Sequence, residues 1–321
     1  MYYSPSNNEM PGQAGHDAPV IAGLTGNLSD YPEGIVLAVD KPYRWTSADV
    51  IRKLKFAAIR HFQKKNLKVG HAGTLDPLAT GVLLVCIGPA CKRAQELQDH
   101  DKEYIARIRF GATTPSYDLE KEVDRTFPYK HITRADVEAA LPAFLGEQEQ
   151  VAPLFSAKSV DGVRAYELAR KMYKAHRAAE ISPRASLGQD DDTVISSEVE
   201  KSQFDAAALE TLHRSKINIS ELELLDFIET SRSEAESPGS VLSTASSRIN
   251  VADTSALGLP EAVIRIACSK GTYIRAFARD LGEALGSGAH LSGLIRSRSG
   301  DFRVEDALSV DQALALFNGI R

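Results

Sequence analysis

The sequence has no long apolar run and few cysteines. No stretch of its 321 residues approaches the roughly 18 consecutive apolar residues that a membrane-spanning helix needs. The N-terminus also lacks the basic and apolar regions of a secretion signal. Its three cysteines are Cys86, Cys91 and Cys268, and no two have the spacing of a zinc pair. These absences predict a cytoplasmic chain with no membrane segment and no bound metal.

An overall positive charge is also lacking, since the formal net charge at pH 7 is −5. The acidic excess lies in residues 1–33, with 4 acidic and 0 basic side chains, and in 178–260, with 15 acidic and 6 basic side chains. Residues 34–177 carry 24 basic and 17 acidic side chains. The charge of this central part is therefore compatible with an RNA partner.

Composition divides the chain into one folded domain and several polar segments. Residues 1–33 are dense in Gly, Pro, Asn and Ser and lack apolar periodicity, which predicts a disordered tail. The ranges 178–213 and 229–260 are acidic and predict largely disordered insertions in a domain that spans 34–310. We expect 311–321 to be a short C-terminal tail.

The apolar pattern of this domain mixes strands with helices. Short apolar or alternating runs predict strands at 35–39, 82–88, 102–110, 217–228 and 263–269. Helical spacing predicts helices at 47–54, 133–145 and 273–285. Because these elements do not follow a regular βαβ rhythm, the pattern predicts an α+β fold.

The most informative segment is the loop at residues 70–81, with the sequence GHAGTLDPLATG. It contains one acid, Asp76, which precedes Pro77. The loop lacks the Gly-Lys-Ser/Thr ending of a Walker A loop and the GxGxxG spacing of a dinucleotide site, so a phosphate cradle is not predicted. In an arbitrary glycine-rich loop, such an aspartate most often only caps a turn.

This loop resembles the signature of the TruB family of tRNA pseudouridine synthases. Other matching motifs follow in the family's order: Lys41-Pro42, Asp101-Lys102-Glu103-Tyr104, Ser156-Ala157-Lys158 with 164–170, 269–275, and 288–296. The resemblance covers 34–177, 214–228 and 261–310. It implies a mixed, largely antiparallel sheet surrounded by helices, and an isomerase without a cofactor that converts uridine 55 of the tRNA T loop to pseudouridine.

The resemblance also implies roles for single residues. Asp76 corresponds to the catalytic carboxylate, and Arg275 to the cation that keeps it ionised. Tyr104 corresponds to the residue that stacks on the target base and is a candidate acceptor of its C5 proton. An isolated tyrosine in a strand more often serves ordinary packing, and a histidine such as His71 is more often structural. The remaining substrate-binding candidates are His71, for extruding the base, and Tyr273, Lys41 and Asp118.

A basic and aromatic segment at 151–177 matches the family's clamp on the tRNA stem-loop. Its candidate RNA contacts are Lys158, Arg164, Tyr166 and Arg170. Considered alone, 164–177 is equally typical of a solvated amphipathic helix. The expected partner is the T stem-loop of tRNA, and we expect a monomer with no obligate protein partner.

The chain departs from the family pattern in three places. Pro115 stands where the family more often has an acid, so Asp118 is the carboxylate that this loop can supply. The 18 residues after Arg303 are too few for the PUA domain that commonly ends the family's chains. The two insertions, 178–213 and 229–260, are outside the pattern.

Pseudouridine formation breaks the N1–C1′ bond of uridine and joins the turned uracil through C5. A carboxylate can act as a nucleophile at C1′ or on the ring, or as a base at C2′, and the sequence leaves all three routes open. Two other functions are a non-catalytic RNA-binding protein and a glycoside-cleaving hydrolase. The set of Asp76, Tyr104 and Arg275 argues against the first, and the single carboxylate of the loop argues against the second.

Overall fold

The computed structural model describes residues 2–3, 24, 27–153, 155, 159–160, 163–164, 214–229, 249 and 251–318. The strands are β1 (Tyr2–Tyr3), β2 (Ile35–Lys41), β3 (Val69–Ala72), β4 (Ala79–Ile87), β5 (Lys102–Phe110), β6 (Ala112–Thr113), β7 (Arg125–Thr126), β8 (Gly146–Val151), β9 (Ser159–Val160), β10 (Val163–Arg164), β11 (Arg214–Ile228), β12 (Glu261–Cys268), β13 (Ala289–Ser299) and β14 (Phe302–Arg303). The α-helices are α1 (Ser47–His61), α2 (Ala94–Asp99), α3 (Arg134–Ala140), α4 (Ile274–Ala284) and α5 (Val310–Asn318). Short 3-10 helices lie at Leu28–Asp30, Gly88–Arg93, Leu141–Phe144 and Ser255–Leu257. No helix within these ranges is long and apolar enough to cross a membrane.

One mixed sheet forms the centre of the fold. Its strand order is β1-β2-β4-β13-β5-β12-β11-β8, with β3 paired to β4 and β14 paired to β13. The β1–β2 and β4–β13 pairs are parallel, and the other pairs are antiparallel. This largely antiparallel sheet with helices confirms the predicted α+β class.

The sequence explains why these segments take up their positions. β4 is apolar along most of its length because it lies inside the sheet and is buried on both faces. β5 alternates between buried and half-buried residues, as predicted for 102–110. Helix α1 begins with a reciprocal cap in which Thr46 and Asp49 each accept a backbone N–H from the other. The N-cap is therefore Thr46, and Ser47 is the first residue of the helix.

The main core lies on one face of the sheet. Leu37 and Val39 of β2 and Leu83 of β4 face this core, where Leu54 of α1 and Leu316 of α5 pack. The alternate residues of the same strands, including Val36 and Leu84, face a smaller cluster that also contains Leu97 of α2. Both faces are therefore covered near the strand that follows Asp76.

Parts of the predicted tails and of the second insertion are folded. Leu24 is buried, and its N–H donates to the carbonyl of Leu316 at 3.0 Å. Tyr2–Tyr3 pairs with β2. The predicted C-terminal tail, 311–321, is helical as far as Asn318, because its apolar residues pack on α1 and β2. Ala252 and Leu259 of the range 229–260 are buried as well.

Candidate active site

The segment that carries Asp76 runs from β3 through a turn into β4. Residues 70–72, predicted as loop, belong to β3 because they pair with β4. The carbonyl of Asp76 accepts the N–H of Ala79 at 3.1 Å, which closes the turn. Gly81 has φ +95°, and a Cβ there would lie 2.3 Å from the carbonyl oxygen of Arg296. The end of the segment is therefore fixed against β13 by a position that only glycine can occupy.

Asp76 and Arg275 form a two-point ion pair. The Nε of Arg275 donates to Oδ2 of Asp76 at 2.9 Å, and Nη2 donates to Oδ1 at 3.2 Å. The side chain of Asp76 is 38% exposed, whereas that of Arg275 is 6% exposed. Because both carboxylate oxygens are held on one side, the guanidinium fixes the orientation of Asp76 and leaves its other side open to solvent.

Arg275 is itself held by further contacts. Its Nη1 donates to the carbonyl of Ser116 at 3.0 Å, and its Nη2 donates to the carbonyl of Phe155 at 2.8 Å. The carboxylate of Asp118 lies 3.8 Å from its Nε. Burial disfavours the charge of Arg275, but Asp76 and Asp118 raise its pKa above the usual value. Burial raises the pKa of Asp118, and the charge of Arg275 opposes that rise.

Lys41, predicted to bind substrate, is instead buried beneath the loop. Its ammonium donates to the carbonyls of Pro42 at 2.9 Å, Trp45 at 2.7 Å and Pro77 at 3.2 Å. Burial lowers the pKa of Lys41 to about 7, against the opposing charges of Asp76 and Asp40. Because three carbonyls already accept its hydrogens, Lys41 ties the Asp76 turn to the end of β2 and does not face the cleft.

Tyr104 lies on β5, directly across from Arg296 on β13. Tyr104 is 8% exposed, and burial raises its pKa while the nearby charge of Arg296 lowers it. Arg296 is 1% exposed, and it donates to the carbonyls of Val82 at 2.7 Å and Gly73 at 3.1 Å. It thus links the Asp76 turn to the strand of Tyr104. The sequence contained Arg296 in a matched motif but gave no signal of this role.

Tyr273 and His71 occupy the two other predicted positions near Asp76. The backbone N–H and carbonyl of Tyr273 are bound by the side-chain amide of Gln150 at 2.8 Å and 3.1 Å, which fixes the start of α4 and so the position of Arg275. No sequence signal pointed to Gln150. His71 is half-buried on β3, and its Nδ1 is buried without a hydrogen-bond partner among the described residues. Burial lowers the pKa of His71 and favours the neutral ring.

A small cavity lies beside the ion pair. It is lined by Asp76, Leu78, Ala79, Asp118, Arg275 and residues 291–294, and its volume is about 10 Å³. Such a space holds about one water molecule. Any ligand larger than a water molecule must therefore approach Asp76 from its solvent-exposed side.

The end of the second insertion packs against the site from outside. Ala252 and the neighbouring Leu78 and Leu119 form one apolar cluster. The N–H of Ala252 donates to the carbonyl of Leu119 at 2.8 Å, and Arg44 donates to the carbonyl of Ile249 at 2.7 Å. Ile249 and Ala252 therefore support the turns that carry Asp76 and Asp118.

The predicted RNA clamp is described only in part. Arg164 lies in β10, which pairs with β9 at Ser159. Lys158, Tyr166 and Arg170 lie outside the described residues. Within the ranges that the structure describes, no group of three or more His, Cys, Asp or Glu side chains could hold a metal ion.

Comparisons with known proteins identify relatives of this chain. Residues 60–202 match a family model described as the N-terminal domain of TruB family pseudouridylate synthases. The chain is 46% identical to a tRNA pseudouridine synthase B of Phocaeicola vulgatus over 282 residues, which cover 88% of this chain and 92% of the relative. It is 44% identical to the protein of the same name from Bacteroides fragilis, over 87% of this chain and 92% of the relative.

A more distant relative and a solved structure extend the comparison. The chain is 38% identical to tRNA pseudouridine synthase B of Thermus thermophilus, over 85% of this chain and 75% of the relative. A chain in the structure of an H/ACA ribonucleoprotein, bound to a substrate RNA containing 2′-deoxyuridine, has a TM-score of 0.50 and 19% identity. The alignment covers 93% of this chain and 59% of that one, and it shows a shared fold. The extent and identity of the sequence matches show that the chain belongs to the TruB family of tRNA pseudouridine synthases.

Proposed function

We propose that this enzyme isomerises uridine 55 in the T loop of tRNA, with Asp76 as the reacting carboxylate. Membership of the family makes the chain a pseudouridine synthase that acts on tRNA. The position of the uridine and the roles of the residues are the proposed part. A cytoplasmic location belongs to the same proposal, since the free thiols of Cys86, Cys91 and Cys268 suit a reducing compartment.

The two-point contact between Arg275 and Asp76 is the observation that best supports this proposal. Arg275 holds both carboxylate oxygens, yet leaves the side chain of Asp76 38% exposed. A carboxylate needs to be ionised and accessible on any of the three routes, as a nucleophile at C1′ or on the ring, or as a base at C2′. The guanidinium of Arg275 holds the carboxylate of Asp76 in one orientation, and the open side of Asp76 admits the nucleotide.

The remaining residues fit the handling of a flipped base. The uridine must leave its stack, which costs a few kcal/mol, and be held in the site. Tyr104 supplies an aromatic face and, in this proposal, accepts the C5 proton after the base has been rejoined. His71 and Tyr273 border the segments that carry Asp76 and Arg275. Asp118 acts on the substrate through Arg275, and Arg164 with its neighbours holds the stem-loop.

Pseudouridine mapping of total RNA from cells with and without the protein tests the proposal. We expect the modification at position 55 of tRNA to disappear without the protein and to return with the parent chain but not with Asp76→Asn. Release of free uracil without new pseudouridine would instead identify a hydrolase. Modification at another position would overturn the assignment of uridine 55 while leaving the pseudouridine synthase activity intact.

A further inference from the structure

A larger groove lies apart from the cavity at Asp76. Its volume is about 530 Å³, and it is lined by Lys55 of α1, by residues 65–70 and by Cys91. We call the surface formed by Lys55, Lys65, Lys68 and Gly70 the lysine groove. None of the residues assigned to the reaction above lines it.

The charges of the lysine groove are not compensated. Lys55, Lys65 and Lys68 are exposed, and no acidic residue is among the groove's lining residues. None of the three ammonium groups pairs with a carboxylate in the described part of the chain, whereas Arg52 on the same helix pairs with Asp49 at 2.8 Å. Three like charges around one concavity repel each other and attract an anion.

Gly70 gives independent support for a ligand. Its φ does not lie in the left-handed region, and a Cβ added there would have no heavy atom within 4 Å. Neither backbone conformation nor packing thus requires glycine at this position. The absence of a side chain leaves the backbone of β3 open to close approach by a ligand.

The lysine groove is close to the site along the chain. Gly70 directly precedes His71, and it lies six positions before Asp76. Six extended residues span at most about 20 Å. A nucleic acid with its target nucleotide at Asp76 can therefore also reach the lysine groove.

We propose that the lysine groove binds the sugar-phosphate backbone of the tRNA substrate, outside the part held at Asp76. This inference rests on the proposed function. Each ammonium offers three hydrogen-bond donors and a point charge to a phosphate, and the bare backbone at Gly70 gives room for the chain of sugars and phosphates. The contacts are made to phosphates, so they add affinity and orientation without reading sequence.

The test compares two triple variants of the full chain that remove equal charge. One replaces Lys55, Lys65 and Lys68 with alanine. The other replaces Lys130, Lys216 and Arg303, which are also exposed and without a carboxylate partner in the described part of the chain. Dissociation constants for tRNA are measured over a range of KCl concentrations, together with the single-turnover rate at saturating tRNA.

We expect the slope of log affinity against log salt concentration to be smaller in magnitude by about 2 to 3 in the groove variant. The loss of three phosphate contacts predicts this change, because each contact contributes about 0.7–0.9 to the slope. The control variant should keep a slope close to that of the parent. Single-turnover rates at saturating tRNA should agree within about twofold in all three proteins, because the lysine groove takes no part in the chemistry.

Gly70→Val provides a second variant that keeps every charge. A Cβ at position 70 would have no heavy atom within 4 Å and valine suits a strand, so we expect circular dichroism and thermal unfolding to show an unchanged fold. The valine side chain should obstruct the lysine groove. The magnitude of the salt slope should then fall by about as much as the loss of one phosphate contact predicts. The proposal would be overturned if the triple lysine variant and Gly70→Val both kept the salt slope of the parent. It would also be overturned if the control variant lost as much slope as the triple lysine variant.

Binding is measured here without turnover, so the two proposals can fail separately. If the groove substitutions change the salt slope of tRNA binding but the parent protein leaves uridine 55 unmodified, the proposed function alone would be overturned. Pseudouridine at position 55 with no groove effect would overturn the present proposal alone. Binding of an acidic peptide at the lysine groove that leaves tRNA affinity unchanged would show a protein ligand instead, and it would also overturn the present proposal.

Discussion

Two charged regions at the ends of residues 68–76 differ in how their charges are satisfied. At one end, Arg275 is buried and bound to Asp76 and to two carbonyls. At the other, the lysine groove has exposed cations without carboxylate partners in the described part of the chain. Fixed pairing suits a reaction that needs one geometry, and free charge suits binding to many phosphates. Substitutions at the first region should therefore change rates, and those at the lysine groove should change affinity.

Asp76→Asn should show the largest separation between rate and affinity. The change removes the reactive charge but few of the phosphate contacts that dominate tRNA binding. Turnover should be lost, and tRNA affinity should stay within a few-fold of the parent. Single-turnover assays and filter binding measure the two quantities. Residual activity above about 1% of the parent would contradict the role of Asp76.

Arg275→Lys should lower the single-turnover rate by about a hundredfold. Lysine keeps the positive charge but cannot hold two carboxylate oxygens and two carbonyls in one plane. A loss of roughly 3 kcal/mol, typical of one or two hydrogen bonds to a charged group, corresponds to that factor. Arg279→Lys on the same helix is the matched control, since Arg279 pairs with Asp280. Near-parental activity of Arg275→Lys would make Arg275 structural only.

Tyr104→Phe separates stacking from proton transfer. Phenylalanine keeps the aromatic face and loses the hydroxyl, so loss of a general base at this position should lower the rate by about 10²-fold while base flipping continues. Tyr104→Ala should be worse by the roughly 1–3 kcal/mol of base–aromatic stacking. Rapid-quench analysis of the bound RNA follows both steps. An unchanged rate for Tyr104→Phe would leave stacking as its sole role.

Replacements in the second insertion should have the smallest and most local effect. A Gly-Ser linker in place of 230–248 should leave the single-turnover rate within about twofold, since the composition of that range is too polar to supply a core. Extending the replacement to 254 removes the packing of Ala252 on Leu78 and Leu119, and the rate should fall by about tenfold through displaced turns. Equal rates for the two proteins would show that the packing of Ala252 does not position the site.

The sequence predicted the parts of the fold that depend on local pattern. The alternating run at 102–110 forms β5, and the helix predicted to start at 133 starts as α3, with Thr133 as its N-cap. The pairing of Asp76 with Arg275, 199 residues apart, came from the family resemblance and not from any local pattern. The RNA clamp stays a prediction, because most of its residues lie outside the described ranges.

Several contacts around the site could not be predicted from the sequence, for one physical reason. The family resemblance gave Lys41 as a substrate-binding candidate, and a lysine is rarely buried completely. Only the three-dimensional arrangement brings the carbonyls of Pro42, Trp45 and Pro77 together around its ammonium. Arg296 and Gln150 were missed for the same reason, since their hydrogen-bond partners are distant in sequence.

The buried ammonium of Lys41 also makes stability depend on pH. Its pKa falls from the usual 10.5 to about 7 in the folded protein, so the unfolded chain takes up a proton between these values that the native state has released. Unfolding in this window therefore consumes a proton, and the free energy of unfolding should rise as the pH increases from 7 towards 10. Denaturant titrations at several pH values would show this slope, and Lys41→Met should remove it.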